Sequence, residues 1–322
     1  METKQKILMI LEEMDGVAIT GTKLGEQLGI SRNAIWKQIN GLIQEGHSIT
    51  AIKNRGYLLI QDSNALSKSK ISSFLTDPLV GEKIEIYEQL ASTNQLAKLK
   101  ASGGASENTV IIANMQTAGR GKMGKKFFSP ADTGIYLSLI IRPKMTIYES
   151  TLLTAAAAVA VCSAIEKITG KIAEIKWVND IFVEGKKVAG ILTEAQTDFE
   201  NGVVEYIVIG VGINLSTADS DFPLELAKIA GSIQSILPTN RNQLIAELIN
   251  QLLASLSNFE HREFIPIYQK KSFLTGKKIT VEQFEDSFDA IVIGIDANCR
   301  LIVETEKGLQ VLHSGDVKIR RF

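Results

Sequence analysis

The chain has 322 residues, 45% hydrophobic and 22% charged, with a formal net charge of −1. This length suits two or three domains, and the composition excludes a disordered or fibrous chain. A net charge near zero excludes a global basic field, so any hold on nucleic acid must come from a local patch.

In chain order, the opening METKQKILMILEEMDG alternates charged and apolar residues and lacks a signal-peptide core. Ile7, Leu8, Ile10 and Leu11 sit at helical spacing. Thr20 reads as the N-cap of a second short helix that Gly29 ends, and Ser31 as the cap of a third, RNAIWKQINGLIQEG. HSITAIKNRGYLLI adds two short β runs around Asn54-Arg55-Gly56, a hairpin signal. Helix, helix, turn, helix, hairpin is a winged helix-turn-helix over residues 1–62, with the helix-turn-helix itself at about 21–40. The polar, serine-rich stretch 63–70 reads as a linker.

Residues 71–270 mix two periodicities. Strand candidates are KIEIYEQ, TVIIANMQ, GIYLSLIIRP, AEIKWVND, IFVEGKKVAGILTEAQ and EYIVIGVGINL; helix candidates are Thr93–Ala101, Ser150–Ile168 and Arg241–Phe259. Hairpins outnumber strand–helix–strand crossovers, which predicts an α+β domain with helices packed on a mixed sheet. From 271 to 322 short β runs alternate with turn residues, which predicts a small β-barrel. The longest apolar run, LLTAAAAVAVCSAI, reads as too short and alanine-rich to span a membrane. Cys162 and Cys299 have neither metal-type nor disulfide-framework spacing and read as buried reduced thiols. The expectation is a cytoplasmic, multidomain α+β protein.

The second helix of a helix-turn-helix enters the major groove, and its first residues meet base edges. Here that helix opens with Ser31-Arg32-Asn33 and carries Lys37, while Arg55 sits at the wing tip. Arg pairs bidentately with guanine and Asn with adenine. Winged helices also serve as protein-interaction modules, so that reading stays open beside DNA binding.

The stretch QTAGRGKMGKKFFSP, Gln116 to Pro130, contains a G-x-G-x-x-G string with Arg120, Lys122, Lys125 and Lys126 threaded through it. A dinucleotide turn needs a following helix, and Pro130 excludes one. A kinase glycine loop fails too, because no His-Arg-Asp or Asp-Phe-Gly string follows. Two readings remain: a solvated surface loop, or a flexible cationic loop that folds over a polyanion.

STNQ (Ser92–Gln95), QTAGRGKMGKKFFSP, KWVND (Lys176–Asp180), KKVAGIL (Lys186–Leu192) and GVGINL (Gly210–Leu215) occur in that order behind the winged helix. Together they resemble the biotin protein ligase family, in its form that is also the repressor of the biotin operon. The resemblance implies an SH3-like barrel at the C-terminus and two reactions. Biotin is activated by ATP, with Mg, to biotinyl-5′-AMP, then passed to a lysine of the biotin carboxyl carrier protein of acetyl-CoA carboxylase and other biotin enzymes. It implies catalytic roles for Arg120, Lys122 and Lys187, and biotin contacts at Ser92, Thr93, Asn94, Gln116, Gly119, Arg120, Gly121, Lys122, Lys187 and Gly190. Adenylate contacts fall to Arg120, Lys122, Phe127, Lys176, Asn179, Asp180, Asn214, Asp316 and Arg320. No protein metal site is implied. Operator DNA and a ligand-promoted homodimer are the implied assemblies, with biotinyl-AMP as corepressor. The chain departs from the family in having Phe127 for the usual Trp and Val178 for the usual Pro. Beside these roles, Ser92-Thr93-Asn94 also reads as a helix N-cap and Lys187 as a solvated strand-end lysine. A lipoate-type ligase and a metabolite-sensing repressor without ligase activity remain the alternatives.

Overall fold

A computed structural model describes residues 3–14, 17–45, 47–53, 55–59, 65–145, 147–198, 203–233, 240–283, 286–313 and 315–319. Asn54 and Arg320 lie outside the described residues.

Helices α1 (Thr3–Glu13), α2 (Gly21–Leu28) and α3 (Arg32–Gln44) and the hairpin β1 (Ile49–Ile52) and β2 (Gly56–Leu59) form the first unit. The caps are those that the sequence signals. Thr20 accepts the Lys23 N–H, Ser31 accepts the Ala34 N–H, and Gly29 takes a left-handed φ of 67° at the end of α2. Ile7, Leu24, Ile35 and Ile39 from the three helices are fully buried together, so three amphipathic faces share one small core.

The central unit holds α4 (Lys68–Ser73), α5 (Pro78–Glu82), β3 (Ile84–Leu90), α6 (Thr93–Ser102), β4 (Val110–Gln116), β5 (Gly134–Ile141), α7 (Ile147–Thr169), β6 (Glu174–Lys176), β7 (Asp180–Val183), β8 (Lys186–Asp198), β9 (Val203–Asn214), α8 (Arg241–Ser257) and α9 (Phe264–Lys271). Its seven-stranded sheet runs β3-β4-β5-β9-β8-β7-β6, with β3 and β4 parallel and every other pair antiparallel. Helix α6 packs on one face through Ala97 and Ala101 against Ile111, Ile140 and Val208. Helices α7 and α8 cover the other face, against Leu137, Leu139 and Ile209. Strand β5 is therefore buried along its whole length, which is why GIYLSLII reads as a nearly continuous apolar run. Ala155 to Ala158 are buried, and their small side chains let α7 lie close to the sheet.

Residues Leu152–Thr169 of α7 do reach the length and apolarity of a membrane span, contrary to the expectation of too short a run. Yet 67% of that window is buried inside the protein, as befits a core helix. IFVEGKKVAGILTEAQ is two strands rather than one, because Glu184 and Gly185 turn with positive φ between β7 and β8. The short helices α4, α5 and α9 carry too few turns for a periodic signal. Helix α4 begins at Lys68, inside the serine-rich stretch, and Ser67 joins neighbours on both sides. Its hydroxyl donates to Glu12 of α1 at 2.7 Å, and its N–H donates to Asn242 of α8 at 2.9 Å.

The third unit comprises β10 (Lys278–Gln283), β11 (Asp286–Ile295), β12 (Leu301–Thr305), β13 (Gly308–Leu312) and β14 (Asp316–Ile319). It is a five-stranded antiparallel sheet in the order β13-β12-β11-β10-β14. Its core is continuous with that of the central domain through Trp177, whose indole N–H donates to the Cys299 carbonyl at 2.9 Å. Both cysteines are free and buried, and burial pushes each thiol up to about 12.

Candidate active site and nucleic-acid interface

One cavity of about 850 Å³ opens on the central sheet beside β14. It is lined by every described residue that the sequence points to in the central and third units. These are Ser92, Thr93, Asn94, Gln116, Gly119, Arg120, Gly121, Lys122, Phe127, Lys176, Asn179, Asp180, Lys187, Gly190, Asn214 and Asp316.

Ser92, Thr93 and Asn94 open helix α6 and are each at least 96% buried, with 3–4% exposure. Ser92 occupies the N-cap position, yet its side chain makes no cap hydrogen bond. Asn94 is anchored from behind. Its amide N–H donates to Glu194 at 2.9 Å and to the Leu192 carbonyl at 3.2 Å, and its oxygen accepts from Ser138 at 2.6 Å. Lys98 pairs with the same Glu194 at 2.6 Å. Ser138 and Glu194 were not singled out in the sequence. The available signal was Ser138 itself, a serine within an apolar strand buried on both faces, where a polar group needs a partner.

The glycine-rich segment is a small hairpin of its own, bridged between Arg120 and Lys126, with a 3-10 turn at Lys122–Gly124. Its chemistry is cationic. The guanidinium of Arg120 has no carboxylate partner among the described residues, and Lys125 pairs with Asp316 of β14. Lys122 donates to the Gly315 carbonyl at 3.3 Å and lies 5.9 Å from the centre of the Trp177 ring. The lysine ammonium is pulled below its ordinary range by burial, against the opposing pull of Asp316 and Asp180. Lys176 is lowered in the same way, by burial first, with Lys187 and Lys125 adding repulsion. Lys187, on β8, pairs with Asp180 at 2.6 Å. Asp316 sits below the ordinary carboxylate range: burial would raise it, but Lys125, Lys176 and Lys318 outweigh that. Arg120 and six lysines (Lys122, Lys125, Lys126, Lys176, Lys187 and Lys318) thus line the cavity with three carboxylates (Asp180, Glu225 and Asp316), and the surplus positive charge suits a bound polyanion.

Phe127 supplies the aromatic surface. Its ring lies over Gly190 and Gly212, which are paired across β8 and β9, and meets Tyr136 edge-on at 6.4 Å. A Cβ at Gly212 would come within 2.6 Å of the ring, and one at Gly210 within 2.1 Å of the Asn94 side chain. The two glycines of GVGINL therefore clear space for two different site residues.

The KWVND turn is clamped from three directions. Trp177 bonds the third unit, the Val178 carbonyl accepts from Tyr268 at 3.0 Å, and the Asn179 amide donates to the Ile191 carbonyl at 2.8 Å. The Trp177–Val178 peptide is cis. Asn214 likewise donates its amide to the Gly231 carbonyl, so both asparagines hold main chain at the cavity wall. Among the described residues no group of three or more His, Cys, Asp or Glu is placed to hold a metal.

On the first unit, Arg32, Asn33, Lys37 and Arg55 are exposed, and Ser31 uses its hydroxyl as the cap of α3. Trp36, which the sequence reading passed over, is 57% exposed on the same helix, one turn beyond Arg32 and Asn33.

The Biotin/lipoate A/B protein ligase family model matches residues 86–214, an HTH domain model residues 3–58, and the Biotin protein ligase C terminal domain model residues 275–320. The bifunctional ligase/repressor BirA of Bacillus subtilis is 32% identical over 321 residues, 98% of either chain. The protein of that name from Escherichia coli is 28% identical over 94% of this chain and 92% of its own. Among solved structures, the biotin protein ligase from Aquifex aeolicus in complex with biotin and ATP shares the fold, with a TM-score of 0.62 at 23% identity over 74% of this chain and 99% of that one. The chain belongs to the biotin protein ligase family, in its bifunctional ligase/repressor form.

Proposed function

We propose that this protein is an ATP-dependent biotin protein ligase and a DNA-binding repressor. The observation that carries the ligase reading is a single cavity holding three chemically distinct parts. A hydroxyl–amide pole (Ser92, Thr93, Gln116) suits a ureido ring, the Phe127 ring suits adenine, and the surplus of cations suits phosphates.

In the first reaction the biotin carboxylate attacks the α-phosphorus of ATP. A carboxylate O–P bond forms, the α,β P–O bond breaks, and pyrophosphate leaves. Two anions must approach, so preorganised cations lower the barrier by opposing the charge as it concentrates. Arg120, Lys122 and Lys187 take that role. Because burial strips solvation from Lys122 and Lys176, and Lys125 repels both, an incoming phosphate supplies the counter-charge they lack. In the second reaction the amine of a carrier lysine attacks the activated carbonyl and AMP leaves. No enzyme nucleophile takes part, in keeping with buried, thiol-form cysteines at both positions. The acceptor is the carboxyl carrier protein of a biotin enzyme.

The exposed Arg32, Asn33 and Lys37 on α3 and Arg55 on the wing form the DNA face. One copy of a nearly neutral domain binds weakly, so a homodimer on a two-fold operator completes the repressor. Ordering of the cationic loop over biotinyl-AMP favours that dimer by linkage.

The test is transfer of labelled biotin to a carrier domain with ATP. The wild-type chain labels the carrier and Lys187→Ala does not; full labelling by that variant overturns the role of Lys187. A wild-type chain that transfers lipoate and not biotin overturns the substrate. Sedimentation with and without biotin and ATP tests the dimer, and identical monomer fractions refute it.

A further inference from the structure

The side-chain amide of Gln116 is held at both ends. Its Oε1 accepts from the Thr93 N–H at 2.9 Å and from the Thr93 hydroxyl at 3.2 Å. A peptide N–H only donates, so the amide oxygen must face it. At the other end, Nε2 donates to Ser129 Oγ at 2.9 Å, and Ser129 donates its own proton to the Phe127 carbonyl at 3.0 Å. A carbonyl only accepts, so the Ser129 hydroxyl has a lone pair for Gln116 and no proton. Ser129 is 4% exposed, which keeps water from substituting for it.

Turning the Gln116 amide over would set its NH2 against the Thr93 N–H and its oxygen against a hydroxyl already committed elsewhere. Thr93 is itself held: Ser138, whose one proton goes to Asn94, offers a lone pair at 2.8 Å to the same Thr93 hydroxyl proton that Gln116 Oε1 shares. What remains is one N–H of Gln116, without a partner among the described residues, lining the cavity beside Ser92. Both groups are able to donate at the place where a ligand arrives.

We infer that Ser129 is a positioning residue: it fixes the Gln116 amide with an N–H toward the ligand, so the site selects a neutral cyclic urea over a cyclic guanidinium. A urea carbonyl accepts that N–H. A guanidinium presents only donors there, and a donor facing a donor leaves both unpaired in a desolvated pocket. The inference rests on the biotin reading of the cavity and adds the polarity of its recognition pole and the residue that sets it.

The experiment uses the full chain with ATP and measures KM in adenylate formation for biotin and for 2-iminobiotin, in which the ureido oxygen is replaced by a protonated imine. Wild type has a high ratio of iminobiotin to biotin KM. Ser129→Ala removes the acceptor that holds Nε2 and leaves the amide with the Thr93 anchor alone, so its N–H is no longer fixed toward the ligand and that ratio falls about fivefold, the scale of one hydrogen bond. Gln116→Glu, which keeps the shape but presents only acceptors, lowers it further, and it serves should Ser129→Ala fold poorly. A merely structural serine would raise both KM values by one factor, and an unchanged ratio in these variants overturns the inference while leaving the ligase intact. A wild-type chain that forms no biotin adenylate overturns the biotin reading and this inference together.

Discussion

Gly212 makes the packing under Phe127 directly testable. It lies in regular strand, so only space keeps a side chain out: a Cβ would meet three ring carbons at 2.6, 2.7 and 3.0 Å. Gly212→Ala must therefore lift the ring off β9. Overpacking of this kind costs about 1–3 kcal/mol. Phe127→Ala removes the obstacle at its own cost, and in the double variant the new methyl occupies space that the ring has left. The double variant should then be more stable than the summed single effects predict, by about 1–2 kcal/mol, within the range for residues in contact. Urea unfolding of wild type, both single variants and the double variant gives that coupling. Adenylate formation at limiting ATP reads the functional side: a displaced ring loses its stacking on adenine, so KM for ATP rises about 2- to 12-fold in Gly212→Ala, the factor for about 0.5–1.5 kcal/mol. Energies that add to within about 0.5 kcal/mol would show that residue 212 and the ring do not meet.

His47 is nearly buried, and burial lowers it to about 4, with Lys70 and Lys4 assisting and Glu45 opposing. The unfolded chain protonates near pH 6.5, so the first unit keeps its full stability above that pH and loses about 3 kcal/mol as pH falls toward 4. Unfolding followed between those values should show this slope in wild type and lack it in His47→Leu; equal slopes would refute the assignment. Lys125 ties the glycine-rich loop to Asp316, so Asp316→Asn should speed tryptic cutting at residues 120–126, and biotin with ATP should slow it; equal rates would count against the tether. Trp36 is exposed and Trp177 is 4% exposed, so DNA should quench the exposed component of tryptophan emission and spare the buried one. Unchanged emission on saturating duplex would place Trp36 off the DNA.

Much of the local structure was legible because its causes are local. Thr20, Ser31 and Gly29 act on amides within four residues, and period-two or helical apolar spacing marks any element long enough to repeat it. The motif order around STNQ, the glycine-rich loop, KWVND and GVGINL also located the cavity wall, since the residue types needed for ureido, adenine and phosphate chemistry appear in the chain itself. Short helices such as α4 and α5 lack that repetition.

The partnerships within the site were decided elsewhere. Lys125 meets Asp316 across 191 residues, Trp177 meets Cys299 across 122, and Asn94 meets Glu194 across 100. Arg241 reads as an ordinary first residue of a helix, yet it is fully buried and donates to the Gly134 carbonyl and to Asn114 at 2.8 Å. Residue type and spacing determined which hydroxyl, amide, aromatic and cationic groups this protein brings to the cavity. Only the packed sheet determined which of them spend their hydrogen bonds on each other and which are left to face a ligand, because desolvation and pairing depend on neighbours distant in the chain.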